Sequence, residues 1–320
     1  MKYHDLTLRD GCHAISHKLT ESFIKTHCTF AEEAGIEVIE IGHGNGLGAS
    51  SLTLGQTLLP ISDMIRIARE NIVKTKLSVH IIPGVATIKR DIDPIIDQVD
   101  IFRVASHSTE ASMTRSHIEY LKNKGKTVYG VLMMSSSCSV TRLFEEASKM
   151  VQYGASAIII MDSSGSFLPC DVGERVKLLK TLGVEIGFHG HNNLGLAVSN
   201  SLEAINMGAS IIDCTVKGFG AGAGNTPLEI MNLIKPSEKI NTEKVLNYSE
   251  KFEYDAPSTN VINMLTAKYK LFSGFEKPIA KACAVYNISV YSLVNKISDA
   301  GLVAGQDDLI EVIAREISVQ

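Results

Sequence analysis

The sequence predicts an α/β fold, a (β/α)8 or TIM barrel, followed by a small C-terminal α-helical domain. Short apolar runs rich in strand-forming residues recur about every 30 residues through the first two thirds of the chain. Segments of helical period separate most of them, and glycine or small polar residues follow each run. Continuous apolar strands that alternate with helices are typical of parallel strands buried on both faces, and eight such units close a barrel.

The predicted strands follow one another as far as residue 216. They are Asp5–Leu8, Val38–Ile41, Leu77–Ile82, Ile101–Ala105, Val128–Met134, Ala157–Met161, Glu185–Phe188 and Ile211–Val216. The intervening segments supply helices such as Glu145–Tyr153, which we expect to end at Gly154.

Strand-like runs stop near residue 235, and helical patterns take over. The predicted helices are Lys244–Phe252, Val261–Phe272, Ile279–Tyr286, Val290–Ala300 and Asp307–Ile317. We therefore predict a barrel over residues 1–235 and a helical domain over residues 236–320.

Composition excludes several classes of protein. The 320 residues are 45% hydrophobic, enough for a large core, and the net charge of −4 argues against a nucleic-acid-binding face. No run of 18 apolar residues occurs, and the N-terminus lacks the apolar stretch of a signal peptide. We expect a cytoplasmic enzyme that binds neither membrane nor nucleic acid.

Two histidines at the end of the seventh predicted strand form the sharpest local motif. Because side chains alternate along a strand, His189 and His191 face the same side, about 7 Å apart along the chain. Neutral imidazole is a common metal ligand, so the pair predicts a metal site, although two histidines at this spacing also occur by chance.

The segment Arg9–His13 ends the first predicted strand and should face the same cavity. Asp10 can complete a set of two histidines and one carboxylate, which suits Mn²⁺, Mg²⁺, Co²⁺, Zn²⁺ or Fe²⁺. Arg9 adds a fixed cation and His13 a titratable base. Their alternative roles are a surface ion pair and a polar residue at a helix start.

Other polar residues are less specific. Neither Gly42–Gly48 nor Gly218–Asn225 has the spacing of a dinucleotide-binding or Walker loop. Lys217 ends the last predicted strand and leaves a metal-free Schiff-base aldolase open. We interpret four histidines as polar helix residues or as satisfied strand residues, whereas two more end strands and could line the cavity mouth. The first group is His17, His27, His80 and His117, and the second is His43 and His107.

These motifs resemble the 4-hydroxy-2-oxovalerate aldolases, metal-dependent members of the HMG-CoA lyase-like barrels, over nearly the whole chain. The matching segments are Thr7–Ile15, Ile39–Gly48, Ile82–Gly84, Arg103–His107, Leu132–Ser135, Asp162–Gly165, His189–Leu194, Gly220–Asn225 and Gly305–Asp308.

The resemblance implies roles for individual residues. The family's divalent metal ligands, usually of Mn²⁺, match Asp10, His189 and His191. Arg9 matches the arginine that stabilises the enolate and His13 the general base, while Ser163 matches a residue that helps to hold the pyruvate carboxylate. The implied reaction is reversible cleavage of a 4-hydroxy-2-oxo acid to pyruvate and an aldehyde.

The chain also departs from the family. A tyrosine of the helical region is expected to reach the site, and counting back from Gly305 places it at Phe272, with Tyr269 one turn earlier as the other candidate. Lys217 and Asn45 stand where the family has other residues. The helical region is shorter than in the family, in which it contacts an acylating aldehyde dehydrogenase. We expect 2-oxo acid and aldehyde substrates, an oligomer, and this dehydrogenase as the candidate protein partner.

Three other functions stay open. An acyl-CoA-dependent Claisen-type synthase or lyase shares the barrel, and a non-catalytic partner subunit would explain Phe272. An iron oxygenase also uses two histidines and a carboxylate, but usually on a double-stranded β-helix.

Overall fold

The structure, a computed structural model, describes residues 1–319, and within them eight parallel strands close into a barrel in chain order. The strands are β1 (Lys2–Asp5), β2 (Val38–Glu40), β3 (Lys76–Ile81), β4 (Ile101–His107), β5 (Thr127–Met133), β6 (Ala157–Asp162), β7 (Glu185–Gly190) and β8 (Ile211–Cys214). Pairing of β1 with β8 completes the closure. The predicted (β/α)8 barrel is confirmed.

Helices cover the outside of the barrel and continue beyond it. They are α1 (Glu21–Ala34), α2 (Ile61–Asn71), α3 (Arg115–Asn123), α4 (Val140–Tyr153), α5 (Pro169–Leu179), α6 (Ala197–Asn206), α7 (Leu228–Ile234), α8 (Thr242–Lys251), α9 (Val261–Lys268), α10 (Glu276–Tyr286), α11 (Val290–Asp299) and α12 (Asp307–Ser318). A π-helical turn and a 3₁₀ helix over residues 88–98 connect β3 to β4.

Local sequence signals set the ends of several helices. In α4 the Ser139 hydroxyl accepts the Arg142 N–H at 3.2 Å, which satisfies one of the free donors at the helix start. The helix ends at Gly154, whose φ of 118° suits glycine because a side chain would be strained there.

The first strand differs from its prediction. Residues 6–8 of the predicted strand Asp5–Leu8 lie outside β1, which ends at Asp5. The Leu6 carbonyl accepts the backbone N–H groups of Arg9 and Asp10 at 3.0 and 2.8 Å, so the chain turns sharply instead of extending. The apolar side chains of Leu6 and Leu8 are buried in this turn, and burial in a turn cannot be distinguished by pattern from burial in a strand.

The C-terminal helices pack in two places. The α8 helix lies on the barrel, where the Tyr248 ring stacks on Phe30 with centroids 3.8 Å apart. A separate apolar cluster is formed by residues from Ile262 to Ile317. The division predicted at residue 235 stays a prediction. Among the helices of residues 1–319, none combines the length and apolarity needed to cross a bilayer.

The helical region also meets the carboxyl end of the barrel. The Ser273 N–H donates to the Ser163 carbonyl at 2.9 Å, and Lys277 Nζ lies 3.0 Å from the carbonyl oxygens of His13 and Ala14. These contacts place the start of α10 above the strand ends, so both regions contribute to the cavity between them.

Candidate metal centre and active site

A cavity of about 1170 Å³ opens at the carboxyl end of the barrel, where barrel enzymes have their active sites. Five of the six residues predicted to form the site line it, and the sixth, His189, lies directly beside His191, with ring centroids 4.9 Å apart. The five are Arg9, Asp10, His13, Ser163 and His191. Residues that are far apart in sequence therefore meet at one end of the barrel.

Asp10, His189 and His191 form a compact cluster of possible metal ligands. One ligand atom from each lies within 4.8 Å of the others, and all three residues are at most 3% exposed. The two histidines come from the end of β7, while the turn after β1 carries Asp10 over the barrel. A set of two imidazoles and one carboxylate suits a divalent transition metal.

The partners of both imidazoles leave Nε2 free to bind a metal. His189 Nδ1 donates to Asp213 Oδ2 at 3.1 Å, and His191 Nδ1 donates to the Asp162 carbonyl at 2.9 Å. Nε2 of His189 is buried and has no hydrogen-bond partner within residues 1–319. An orphaned imidazole nitrogen that faces a carboxylate and a second imidazole fits a metal ion, and outer carboxylate and carbonyl partners commonly orient such ligands.

Asp10 is held in its ionised form. Its Oδ1 accepts Arg9 Nη1 at 2.7 Å, and its Oδ2 accepts Asn225 Nδ2 at 2.6 Å and the Ala221 N–H at 3.3 Å. Burial alone would raise the pKa of Asp10, but the Arg9 guanidinium, helped by the nearby imidazoles, holds it well below its usual range. The residue thus presents the charged form that a metal requires.

Arg9 leaves one nitrogen available beside the metal cluster. Its Nε donates to Glu40, and its Nη1 contacts Asp10 and, at 3.3 Å, the Gly44 carbonyl. Nη2 is buried and has no partner within the described residues. An unpaired guanidinium nitrogen in a wall of the cavity can stabilise negative charge on a ligand.

A buried charge network underlies both groups. Arg103, fully buried on β4, pairs with Glu40 Oε2 at 3.0 Å and with both carboxylate oxygens of Asp213. Arg103 and His189 hold the pKa of Asp213 below its usual range against the opposing effect of burial. The network therefore joins the outer partner of His189 to the outer partner of Arg9.

His13 lies in the cavity wall and contacts other histidine rings. A Cβ at Gly44 would lie 2.6 Å from Nε2 of His13, so only glycine allows this approach. The His13 ring makes an edge contact with His17, which stacks on His43 at a centroid distance of 3.6 Å. Burial lowers the pKa of His13 despite the opposing charge of Asp10, which keeps the imidazole in the neutral form of a base.

Ser163 and Phe272 form other parts of the wall. The Ser163 hydroxyl accepts the Met134 N–H at 2.9 Å, which leaves its own proton free for a ligand. Phe272 lines the cavity, whereas Tyr269 lies elsewhere, with its hydroxyl 3.5 Å from that of Tyr291. Lys217 is not among the residues that line the cavity within the described chain, so its side chain has no place in this site.

The interpretation of some other residues changes with the structure. His17 lines the cavity and does not lie on a polar helix face, while His80 is buried with an unpartnered Nδ1 and so is not a satisfied strand residue. His27 is fully buried on α1 and belongs to no strand, and its Nε2 is satisfied by Asp5 Oδ2 at 2.8 Å. The predicted site also lacked Asp213 and Arg103, although a charged residue within an apolar strand is a signal that could have identified both.

Comparisons with known proteins show which family this chain belongs to. A family model described as HMGL-like matches residues 1–250. A protein of Pectobacterium atrosepticum named 4-hydroxy-2-oxovalerate aldolase is 46% identical over 98% of this chain and 94% of its own length. One of the same name from Spirochaeta aurantia is 43% identical over 98% and 95%. The carboxyl transferase domain from Rhizobium etli pyruvate carboxylase has a TM-score of 0.81 at 15% identity, covering 99% of this chain and 60% of that one, which shows a shared fold.

Proposed function

This chain belongs to the HMGL-like family, among its 4-hydroxy-2-oxovalerate aldolases, and we propose that it is a divalent-metal-dependent aldolase. Its substrate is 4-hydroxy-2-oxovalerate or a similar 4-hydroxy-2-oxo acid, which it cleaves reversibly to pyruvate and an aldehyde. The observation that carries the proposal is the cluster of Asp10, His189 and His191 beside the unpaired Nη2 of Arg9.

Asp10, His189 and His191 would hold the metal ion, for which we propose Mn²⁺, with Co²⁺, Mg²⁺ and Zn²⁺ as the alternatives. When bound, the ion acts as a Lewis acid on the 2-oxo group of the substrate. The free Nε2 of His189 and the ionised Asp10 support this assignment, because both are in the state that ligation requires.

Arg9 and His13 act on opposite ends of the bond that breaks. Neutral His13 accepts the proton of the C4 hydroxyl, the C3–C4 bond breaks, and the C4 oxygen becomes the aldehyde carbonyl. The bonding electron pair passes to C3 and delocalises onto the 2-oxo oxygen as the pyruvate enolate. Arg9 Nη2 donates to that oxygen, where the charge develops in the transition state.

Ser163 binds the carboxylate of the substrate in this scheme. Because its Oγ already accepts the Met134 N–H, the hydroxyl proton is free to bond another acceptor, and a substrate carboxylate in the cavity would supply one. Phe272 carries no hydroxyl, so water or another group must protonate C3 of the enolate.

We also propose an oligomeric assembly in which the helical region over residues 236–320 meets an acylating aldehyde dehydrogenase. Exposed apolar side chains on α10 and α12, including Val285 and Val312, support a contact with the helical region. Sedimentation of the protein alone measures its oligomeric state, and sedimentation of a mixture with such a dehydrogenase measures whether the two form a complex. A monomer that does not co-sediment would contradict this part of the proposal.

The test of the activity is release of pyruvate from 4-hydroxy-2-oxovalerate by metal-stripped protein, with and without added Mn²⁺, Co²⁺, Mg²⁺ or Zn²⁺. We expect turnover with metal, none in chelator, and no metal retention by His189→Ala. His117→Ala is the control, since that ring lies on α3 and bonds the Ala86 carbonyl. Full activity after stripping would refute the metal dependence, and turnover only of 2-oxo acids with acetyl-CoA would favour a Claisen-type enzyme.

A further inference from the structure

His80 is a cavity residue that the proposed reaction does not use. It lies on β3 with its side chain inside the barrel, is 2% exposed, and forms part of the cavity wall. The same cavity is also lined by apolar residues, among them Ile82, Val85 and Met133. A buried imidazole in such a wall needs a hydrogen-bond partner.

The protein supplies no partner for Nδ1 of this imidazole within residues 1–319. Other histidines of the site are fixed through Nδ1, as in the contacts of His189 with Asp213, of His191 with Asp162, and of His107 with Thr109 at 2.8 Å. Burial and the nearby Arg9 and Arg103 charges lower the pKa of His80 well below its usual value. The ring is therefore neutral, carrying one donor and one acceptor.

The rings of His80 and His13 both lie against the same glycine-rich loop, at Gly46 and Gly44 respectively. A Cβ at Gly46 would lie 3.2 Å from Cδ2 of His80, and a Cβ at Gly44 would lie 2.6 Å from Nε2 of His13. The two imidazoles thus border one short segment of the wall. Because His13 takes the proton of the C4 hydroxyl in the proposed reaction, the part of the substrate beyond C4 lies within reach of this segment.

We propose that His80 hydrogen-bonds a hydroxyl on the aldehyde-derived part of the substrate, so that the enzyme prefers a 2-hydroxyaldehyde such as glycolaldehyde to acetaldehyde. This inference rests on the proposed aldolase function. In the addition direction, C3 of the pyruvate enolate forms a bond to the aldehyde carbon, and the former carbonyl oxygen gains a proton. The second hydroxyl of the product, 4,5-dihydroxy-2-oxopentanoate, comes unchanged from the aldehyde.

The direction of the preference follows from the unpaired imidazole. A methyl group in this position leaves the buried Nδ1 without a partner. A hydroxyl can donate to this nitrogen in one tautomer of the ring or accept its N–H in the other. Sites that bond a substrate hydroxyl discriminate strongly against the analogue that lacks it. We expect kcat/KM for glycolaldehyde to exceed that for acetaldehyde by about tenfold, the factor typical of one such buried contact.

The experiment measures kcat/KM for both aldehydes with saturating pyruvate and Mn²⁺, in the wild type, His80→Leu and His80→Gln. Leu should remove the preference for glycolaldehyde while acetaldehyde addition persists, and Gln, which keeps a donor and an acceptor, should retain part of it. His117→Leu, outside the cavity, should leave the ratio unchanged. The folding of each variant is checked by circular dichroism.

Two failures are distinguishable. If neither aldehyde adds to pyruvate, the proposed aldolase function is wrong. If acetaldehyde adds but the wild type shows no preference for glycolaldehyde, or His80→Leu keeps that preference, the role of His80 is overturned. Should His80→Leu fail to fold, the wild type and His80→Gln still test the proposal. A wild-type ratio of kcat/KM for glycolaldehyde to that for acetaldehyde near one is sufficient to refute it.

Discussion

Asp213 Oδ2 accepts a hydrogen bond from His189 Nδ1 at 3.1 Å beneath the candidate metal cluster. The same carboxylate pairs with Arg103, which also pairs with Glu40, the partner of Arg9. One buried chain of alternating charges thus orients both a predicted metal ligand and the predicted enolate-binding cation. Breaking it at one member leaves an uncompensated buried charge, so its effects should be large.

Asp213→Asn should weaken Mn²⁺ binding about 10- to 100-fold, because the amide is a poorer acceptor for the His189 N–H and leaves Arg103 less well paired. Calorimetric titration of metal-free protein measures the Kd. Asp97→Asn is the matched control, since that side chain is 97% exposed. An unchanged Kd for Asp213→Asn would show that His189 does not depend on this carboxylate for ligation.

Arg9→Lys should lower kcat about 100- to 1000-fold with a small change in KM. The ammonium keeps the charge, but it lacks the planar fork by which Arg9 contacts Glu40 and Asp10 while Nη2 remains free. Steady-state kinetics with metal present separate kcat from KM. The exposed Arg66→Lys serves as the control, and a wild-type kcat in Arg9→Lys would remove Arg9 from the reaction.

Replacement of His4 should change how stability depends on pH. His4 is 1% exposed inside the barrel, and neither ring nitrogen has a hydrogen-bond partner within residues 1–319. Burial, opposed by Asp213 at 3.9 Å and helped by Arg103, lowers its pKa to about 3. Below pH 6.5 the unfolded chain takes up a proton at His4 that the folded chain does not. The free energy of unfolding therefore falls as the pH decreases from 6.5 to about 3, by up to about 1.4 kcal/mol per pH unit from this group.

His4→Phe keeps a ring against Tyr129 but removes that proton. Urea denaturation of both proteins from pH 8 to pH 4 measures the difference in their free energies of unfolding. The difference should be constant above pH 6.5 and should shift in favour of the variant at lower pH. A constant difference over the whole range would mean that folded His4 takes up its proton as readily as the unfolded chain.

Phe272→Tyr should raise the enantiomeric purity of the aldol product, because a hydroxyl in this part of the cavity wall can hydrogen-bond the C4 oxygen in one orientation. Chiral chromatography of the product measures the change. Tyr269→Phe is the control, since that hydroxyl lies near Tyr291 and outside the cavity. Equal enantiomeric ratios in Phe272→Tyr and the wild type would show that the side chain at position 272 does not control the stereochemistry of the product.

Local patterns were sufficient for the elements and for part of the site. Runs such as Ala157–Met161 are apolar throughout, which predicts a strand buried on both faces, and the i, i+2 spacing of His189 and His191 places both on one face because side chains alternate. The first strand shows the limit of such patterns. Leu6 and Leu8 are buried in a turn, and hydrophobicity reports burial without reporting backbone direction.

The sequence by itself therefore determined the barrel, its helical extension and the residue types available at the strand ends, because these depend on short-range periodicity. Only the tertiary structure decided which charges meet. Closure of the barrel brings Asp213 of β8 beside His189 of β7 and Arg103 of β4, and leaves His80 without a partner. Contacts across the barrel depend on strand register and tilt, which the local hydrophobic pattern of the sequence does not encode.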